Sequence, residues 1–344
     1  MRTEDLWVPE DTIPRTLPIG HQLRSLLRFA VLAPSTRNTQ PWRFTIDGNA
    51  VLLRADPVRW LRMADPDRRE LHLSLGCALE NLLVAADRFG YRHTLAYFPV
   101  PADSDLAAVA TFTPAPRTAP PAASAVTLET LQLRRTERRP FLPQPLPPDV
   151  LQRLRSVPGE PGVRLELTDA ADRRRGADVL NVRAWSALFG DAEYREELTR
   201  TLLVGEIGGS WLAGQLRRPS PPYTAVGRRL AQQNSLALLS APLIGAIGSL
   251  SDTPADQVRS GRLLERLWLT AVAEGLALHP MSQALEVGAL RHELAERFPA
   301  AGTYVQQFFR LGRPSGAARG GRPAPRRPVE EVLAAAGPPA RPAT

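Results

Sequence analysis

The sequence predicts an α+β fold of two similar halves, each with helices flanking a small and mostly antiparallel sheet. Apolar helices and short strands follow one another irregularly, which differs from the strict β-α-β alternation of a doubly wound parallel sheet. A second observation is that the pattern starts again at residue 127, after a Pro- and Ala-rich linker at roughly residues 114–126. We therefore expect a first half at residues 1–126 and a second half at residues 127–344.

The first half begins with a helix, because residues 20–33 carry apolar side chains at helical spacing. A hairpin follows, since two apolar runs flank the turn residues 47–49. The most regular helix of the sequence covers residues 68–90 and is ended by Gly90. The strands of this half are predicted at residues 43–46, 50–54, 94–98 and 106–112.

The second half repeats this mixture of helices and strands. Its helices are predicted at residues 127–139, 147–156, 170–201 and 262–278, and its strands at residues 162–167, 242–247 and 305–311. Residues 204–224 are rich in Gly and Pro without periodicity. A segment of this length inside a compact domain is typical of a lid or a binding loop. Residues 312–344 form a basic arm rich in Arg and Pro.

Composition excludes several classes of function. All 43 basic residues are Arg, so lysine Schiff-base chemistry, including that of pyridoxal phosphate enzymes, is excluded. The single cysteine, Cys77, rules out an intramolecular disulfide and a thiolate metal cluster, and the five His show no metal-ligand spacing. No stretch reaches the roughly 18 apolar residues that a membrane helix needs, and the first residues contain no apolar signal core. We therefore expect a cytoplasmic protein with no membrane partner and no metal.

The net charge of +8 raises the question of a nucleic-acid partner. The Arg residues are dispersed, aromatic residues make up only 6% of the chain, and no recognition motif is present. We therefore expect no nucleic-acid partner, and a small-molecule ligand instead.

The first segment that carries chemistry is APSTRNTQPWRF at residues 33–44. It is either a plain helix-to-strand loop, because Pro, Ser and Asn break periodicity, or a loop that grips a flat polar ligand. The amide of Asn38 offers both a donor and an acceptor, and backbone groups at Ser35 and Thr36 can add to it. Pro34 stiffens the loop, and Trp42 is expected to pack in the core.

The second segment is the basic run at residues 134–139, which contains four Arg around Thr136. On the predicted helix, Arg134 and Arg138 lie four residues apart and face the same way. The tail supplies another pair, Arg326 and Arg327. These residues form either a solvated cationic face or, because guanidinium groups bind phosphate in a planar fork, a phosphate site.

These segments together resemble the FMN-dependent nitroreductase family. Residues 34–42 are similar to the PSxxNxQPW segment of that family, and residues 134–138 to its RRSxR phosphate-binding motif. The pair at 326–327 resembles its closing basic pair, and residues 275–283 resemble its helix exit beside the flavin. The first half holds the loop and the second half holds the Arg motif. The layout therefore resembles the Acg-like branch, in which two nitroreductase-like halves form an internally duplicated pseudo-dimer with an inserted lid.

The resemblance implies a nitroreductase fold and one FMN site. The cofactor-binding residues that it implies are Pro34, Ser35, Thr36, Asn38, Arg134, Arg135, Thr136, Arg138, Pro280, Met281, Ser282, Gln283, Arg326 and Arg327. Arg134 and Thr136 match phosphate and ribityl positions, and one of Arg326 and Arg327 closes on the phosphate. Arg138 matches the cation near flavin N1, where negative charge develops on reduction. A backbone N–H within residues 281–283 is expected to face flavin N5.

The resemblance further implies two-electron transfer from NAD(P)H through flavin N5 to a nitro or quinone-type acceptor. No catalytic side chain is expected, because the flavin carries the chemistry. The alternative is a protein that stores or sequesters FMN under its lid with little turnover. Because both halves lie in one chain, we expect a monomer that resembles a dimer.

Overall fold

The computed structural model describes residues 17–115, 126–203, 215, 223–316 and 324–334. Strands in the first half form a four-stranded antiparallel sheet in the order β1-β2-β4-β3: β1 Trp42–Asp47, β2 Ala50–Ala55, β3 Tyr91–Tyr97 and β4 Leu106–Pro114. Strands in the second half form another in the order β5-β6-β8-β7: β5 Val163–Thr168, β6 Leu243–Ser249, β7 Ala277–Pro280 and β8 Tyr304–Gly312. The predicted α+β class with antiparallel sheets is confirmed.

The helices of the described residues flank these two sheets. They are α1 Ile19–Ala30, α2 Arg69–Arg88, α3 Leu128–Leu133, α4 Pro148–Arg155, α5 Ala171–Gly190, α6 Ala192–Leu203, α7 Tyr223–Leu239, α8 Pro254–Ala273, α9 Gly288–Arg297 and α10 Val329–Val332. The predicted turn at residues 47–49 is also present, with Gly48 at a φ of 56° between β1 and β2. Glycine adopts this left-handed conformation without steric cost.

Helices α2 and α8 pack against each other at the centre of the molecule. Their backbones approach closely at two glycines, where a Cβ at Gly76 would overlap the carbonyl oxygen of Val258 and a Cβ at Gly261 would overlap that of Leu73. The largest apolar cluster is built around this pair and includes side chains from both sheets, among them Phe44, Phe112, Ile247 and Phe309. Both sheets therefore share one core.

A buried ionic network also joins α2 to α8. The carboxylate of Glu80 accepts hydrogen bonds from Arg262 Nε (2.9 Å) and from Arg266 Nε (2.7 Å) and Nη2 (2.8 Å). Arg266 also donates to Glu160 (2.9 Å), which precedes β5. Burial opposes ionisation of Glu80, but the charges of Arg266 and Arg262 hold its pKa below the ordinary glutamate value of 4.5.

Three predicted helices differ from the observed ones. The helix predicted at residues 127–139 is wrong beyond Leu133, because the chain leaves the α region at Arg134 (ψ 121°). Arg134 and Arg138 therefore do not share a helix face. The tract at 170–201 is divided at Asp191, which has extended backbone angles. The helix predicted at 262–278 starts earlier and ends at Ala273, so that residues 277 and 278 begin strand β7.

The predicted lid at residues 204–224 lies outside the described residues, except for residue 215 and the first two residues of α7. The linker at 114–126 likewise lies mostly outside them. The basic arm at 312–344 is described only in part, at residues 312–316 and 324–334. No helix in these described ranges has the length and hydropathy needed to cross a membrane.

The described end of the basic arm packs on the first half. Val329 and Val332 are buried in the shared core, and the N–H of Ala334 donates to the carbonyl of Phe44 in β1 (2.8 Å). The last elements of the second half therefore contact the first sheet, in addition to the packing of α2 on α8.

We predict that Gly76→Ala and Gly261→Ala each lower the free energy of unfolding by about 2 kcal/mol, because the added methyl group forces the helix backbones apart. Urea denaturation monitored by circular dichroism measures this change. Gly190→Ala is the matched control, since a Cβ at this helical glycine meets no atom within 4 Å. Equal stabilities for all three variants would contradict the close approach of α2 and α8.

We predict that Glu80→Gln lowers the free energy of unfolding at neutral pH by about 3 kcal/mol, because two buried guanidinium groups lose one of the two carboxylates that they share, Glu160 being the other. The folded pKa of Glu80 lies below its unfolded value. The carboxylate therefore stabilises the fold above pH 4.5, and this contribution is lost as the pH falls through the folded pKa. Urea titrations of both proteins across this range should show the difference shrinking toward acid pH. A difference that is independent of pH would contradict the prediction.

Candidate functional site

A cavity of about 580 Å³ lies where elements of the two halves meet. The first half contributes the loop at residues 34–37 and one face of α2. The second half contributes residues 136 and 138–140, the end of β7 with the turn after it, Gln307 of β8, and side chains of α5 to α8. Eight of the residues predicted to bind a cofactor line this cavity: Pro34, Ser35, Thr36, Thr136, Arg138, Pro280, Ser282 and Gln283.

The loop after α1 is held in an uncommon conformation. Arg37, Asn38 and Gln40 have φ values of 51°, 56° and 51°, a left-handed region that non-glycine residues rarely adopt. Side chains fix this shape: Ser35 Oγ accepts from the N–H of Gln40 (2.9 Å), and Thr36 Oγ1 donates to Glu70 Oε2 on α2 (2.7 Å). The segment is thus more constrained than an ordinary connection between a helix and a strand.

Asn38 does not line the cavity. Its Nδ2 donates to the carbonyl of Pro325 (3.1 Å), and its Oδ1 accepts from Arg326 Nη1 (2.9 Å). Its donor and acceptor, which were predicted to bind a flavin edge, are therefore both bonded to the C-terminal arm. Trp42 is fully buried in the core, as predicted.

Arg134 and Arg326 lie next to each other in the structure, although they are far apart in the sequence. Arg134 Nη2 and Arg326 Nη2 donate to the same carbonyl, that of Leu32, at 2.8 and 3.1 Å. Arg134 also pairs with Glu265 (3.1 Å) and lies 4.7 Å from the ring centre of Trp268, which lines the cavity. Neither arginine is itself among the lining residues.

This cluster carries an excess of positive charge. Burial raises the pKa of Glu265 to about 7, so the carboxylate is only partly ionised near neutral pH. Burial and the charge of Arg134 lower the pKa of Arg326 to about 9. Two guanidinium groups therefore share one weakly ionised carboxylate next to the cavity wall.

Arg135 and Arg327 do not line the cavity either. Arg327 Nη1 donates to the carbonyl of Gln40 (3.3 Å) and its Nη2 to that of Glu331 (2.9 Å). Of the two tail residues that the sequence left open, Arg326 is therefore the one beside Arg134.

Thr136 and Arg138 reach the cavity because residue 136 forms a parallel β-bridge with Leu278 in β7. Arg138 is exposed and makes no hydrogen bond or ion pair with any residue that the structure describes. In contrast, Arg139 donates twice to the side chain of Glu137, at 2.9 and 2.6 Å. Arg138 is thus available to an anionic or carbonyl group in the cavity.

His279 is a buried lining residue at the end of β7. Its Nδ1 accepts a hydrogen bond from Arg310 Nε (3.1 Å), and because a guanidinium only donates, Nε2 must carry the imidazole proton. Burial and the charges of Arg310 and Arg138 keep the pKa of His279 well below 6.5. The ring is therefore a neutral hydrogen-bond donor in the cavity wall.

The turn after β7 supplies the backbone groups expected near a flavin ring. The N–H of Met281 already donates to the carbonyl of Phe308 (2.8 Å), and its side chain is buried in a smaller apolar cluster with Leu285 and Phe308. Ser282 and Gln283 start a short 3₁₀ turn, so their N–H groups have no intrahelical acceptor. Gln283 Oε1 is buried and has no hydrogen-bond partner among the described residues.

Several lining residues were missed by the sequence reasoning. Glu70, Trp185, Tyr194 and Glu286 come from α2, α5, α6 and the turn after β7. No local sequence motif identifies these residues. They line the cavity because of the way their helices or turn pack in the tertiary structure. Arg37 is the exception, since it lies inside the loop that the sequence singled out.

No protein-family model matches the sequence. Rv3131 of Mycobacterium tuberculosis (strain ATCC 25618 / H37Rv), provisionally named an NAD(P)H nitroreductase, is 31% identical over 326 residues that cover 92% of each chain. Acg of the same strain, which bears the same provisional name, is 27% identical over 337 residues, or 93% of this chain and 98% of Acg.

Among solved structures, the FMN- and NADPH-dependent nitroreductase NfnB of Sphigopyxis sp. strain HMH covers 61% of this chain and 98% of its own, with 20% identity and a TM-score of 0.44. The sequence relationship to Rv3131, which extends over nine-tenths of both proteins, is the stronger finding. It confirms the resemblance predicted from the motifs, and the chain belongs to the NAD(P)H nitroreductase family represented by Rv3131.

Proposed function

We propose that this protein binds FMN in the cavity and transfers two electrons from NAD(P)H to a small-molecule acceptor with a nitro or quinone-type group. The observation that carries the proposal is the meeting of both predicted motifs in one cavity, residues 34–36 from the first half and residues 136, 138, 280, 282 and 283 from the second. When bound, FMN supplies acceptance and return of a hydride at N5. No side chain of the protein is required as a nucleophile or general base.

The lining residues fit a planar cofactor with polar edges. Leu73, Leu264 and Trp268 offer apolar surface to a ring system, and ligand sites combine such surface with a few convergent polar groups. Gln283 Oε1 is buried without a partner, and Arg138 has none among the described residues. We assign Arg138 to the flavin N1 edge, where its fixed charge favours the reduced cofactor, and the N–H of Ser282 or Gln283 to the N5 side.

The phosphate end is assigned to Thr136 with the Arg134–Arg326 cluster. Two guanidinium groups beside one partly ionised carboxylate form an electropositive point. These two arginines would contribute positive charge to a phosphate held beside Thr136, since charged groups form stronger hydrogen bonds and ion pairs with phosphate. Asn38 then acts on the cofactor through Arg326, which it holds at 2.9 Å.

We further propose that the two halves arose as an internal pseudo-dimer with one FMN site. The same strand order in both sheets and the central packing of α2 on α8 support this interpretation. Storage of FMN without turnover is not favoured, because the chain belongs to a family named for NAD(P)H-dependent reduction.

The absorbance spectrum of the purified protein tests the proposal. We expect a yellow protein, or a colourless one that takes up added FMN in proportion to protein concentration. Anaerobic addition of NADPH or NADH should bleach the flavin absorbance, and a nitroaromatic compound should restore it. Protein that cannot take up FMN would refute the proposal, whereas binding without bleaching by either nicotinamide would support storage.

We predict that Arg138→Gln weakens FMN binding by about tenfold or more, because it removes a charged hydrogen-bond donor from the cavity. Fluorescence quenching of FMN titrated with apoprotein gives the Kd. Arg200→Gln is the control, since Arg200 is exposed on α6 and pairs with Glu196 at 3.1 Å. Equal affinities for the three proteins would remove Arg138 from the site.

A further inference from the structure

Arg37 is a buried cation in the cavity wall that the proposed flavin site does not use. Its side chain is 9% exposed, and it lines the cavity next to residues 34–36. Its Nη1 and Nη2 make no hydrogen bond with any described residue. The two carboxylate contacts are long, 3.5 Å to Glu197 and 3.7 Å to Glu286. Both terminal nitrogens thus lack a hydrogen bond of ordinary geometry and have only long ion pairs, with the Tyr194 hydroxyl also acting on the guanidinium.

The backbone at Arg37 is strained, with a φ of 51° in the left-handed region. Such strain persists only where the surroundings enforce it, and it is concentrated at functional positions. An unsatisfied buried donor adds a further cost to stability. Backbone strain and an unsatisfied donor both destabilise the fold. We therefore attribute this arrangement of Arg37 to ligand binding and not to a contribution to stability.

Aromatic and apolar side chains surround this guanidinium. Tyr194 of α6 lies beneath it, with its ring centre 4.7 Å from Arg37 Cζ. Trp185 of α5 and Leu198 of α6 line the same cavity and belong to one apolar cluster with Tyr194. These side chains provide a surface on which an aromatic ring can pack.

Two carboxylates and the Tyr194 hydroxyl act on Arg37, and together they raise its pKa above the ordinary arginine value despite burial. Glu197 also accepts hydrogen bonds from the N–H groups of Met63 (3.0 Å) and Ala64 (3.1 Å). Burial raises the pKa of Glu286 to about 7, against the opposing charge of Arg37. The other groups that act on Glu286 are Glu70 and Arg69 of α2 and Tyr194 of α6.

We propose that Arg37 recognises the electron acceptor by binding a planar two-oxygen group, nitro or carboxylate, on an aromatic ring that packs against Trp185 and Leu198. Two parallel N–H donors of a guanidinium match two oxygens on one atom. A para-quinone carries its oxygens on opposite sides of the ring and cannot engage both nitrogens. This inference deepens the proposed function and rests on it for the reduction, but binding of the acceptor can be measured separately.

Equilibrium binding of nitrobenzene, benzoate and toluene to the purified full-length protein, by calorimetry or NMR titration, tests the proposal. Toluene is the ring without the two-oxygen group. We expect Arg37→Gln to weaken binding of nitrobenzene, benzoate or both by about tenfold while toluene binding is unchanged. The probe that responds identifies the group recognised. Arg183→Gln is the control, because Arg183 is an exposed residue of α5 that pairs with Glu293. Unchanged binding of both oxygen-bearing probes would overturn the proposal.

A second variant keeps the proposal testable if Arg37→Gln does not fold. Ionised Glu286 competes with a carboxylate ligand for Arg37, so benzoate should bind the unmodified protein more tightly at about pH 6 than at about pH 8. Glu286→Gln removes this competition, and we expect about threefold tighter benzoate binding at the higher pH and little dependence on pH. Benzoate affinity that is the same in both proteins at both pH values would refute the role of Arg37.

The outcomes separate this inference from the proposed function. Flavin content is measured in every variant, and Arg37→Gln should retain it. If the protein takes up no FMN but binds the probes in an Arg37-dependent way, the proposed function fails and the acceptor site stands. If FMN binds and is reduced but neither Arg37→Gln nor Glu286→Gln changes probe binding, the proposed acceptor site is refuted and the proposed function stands.

Discussion

The close approach of α2 and α8 is the constraint on which the rest of the structure depends. Gly76 and Gly261 allow the helix backbones to touch, and the network of Glu80 with Arg262 and Arg266 fixes their alignment. Both helices also contribute side chains to the cavity, such as Leu73 from α2 and Trp268 from α8. The same packing of α2 on α8 therefore joins the two halves and brings the cavity-lining side chains together.

Charge is distributed around the cavity in a way that leaves cations available. Glu265 and Glu286 are both buried, and burial raises the pKa of each to about 7. Arg134, the partner of Glu265, is therefore only partly neutralised near physiological pH, whereas Arg37 has a second carboxylate partner, Glu197, at 3.5 Å. A fold that buries weakly ionised carboxylates next to guanidinium groups favours ligands that bring their own negative or electron-rich oxygens.

Much of the fold could be predicted from the sequence, because periodicity and turn residues are local signals. The hairpin around residues 47–49, the helix that became α2, and the strands of both sheets except β7, which was predicted as the end of a helix, are examples. The helix predicted at residues 134–139 was wrong although the arginines have helical spacing. Arg134 and Arg138 do not share a helix face, because the chain leaves the α region at Arg134. Arg134 is drawn out of the helix into a buried ion pair with Glu265 (3.1 Å), and tertiary contacts of this kind override helix propensity.

The sequence by itself determined the α+β class, the family and eight of the residues that line the cavity, since these depend on local pattern and short motifs. Only the tertiary structure decided how each side chain is used. Asn38 binds Arg326 because the C-terminal arm folds back onto the first half, and Glu286 faces Arg37 because β7 and the loop after α1 meet at the same wall. These partners are separated by hundreds of residues, and packing in three dimensions alone specifies such contacts.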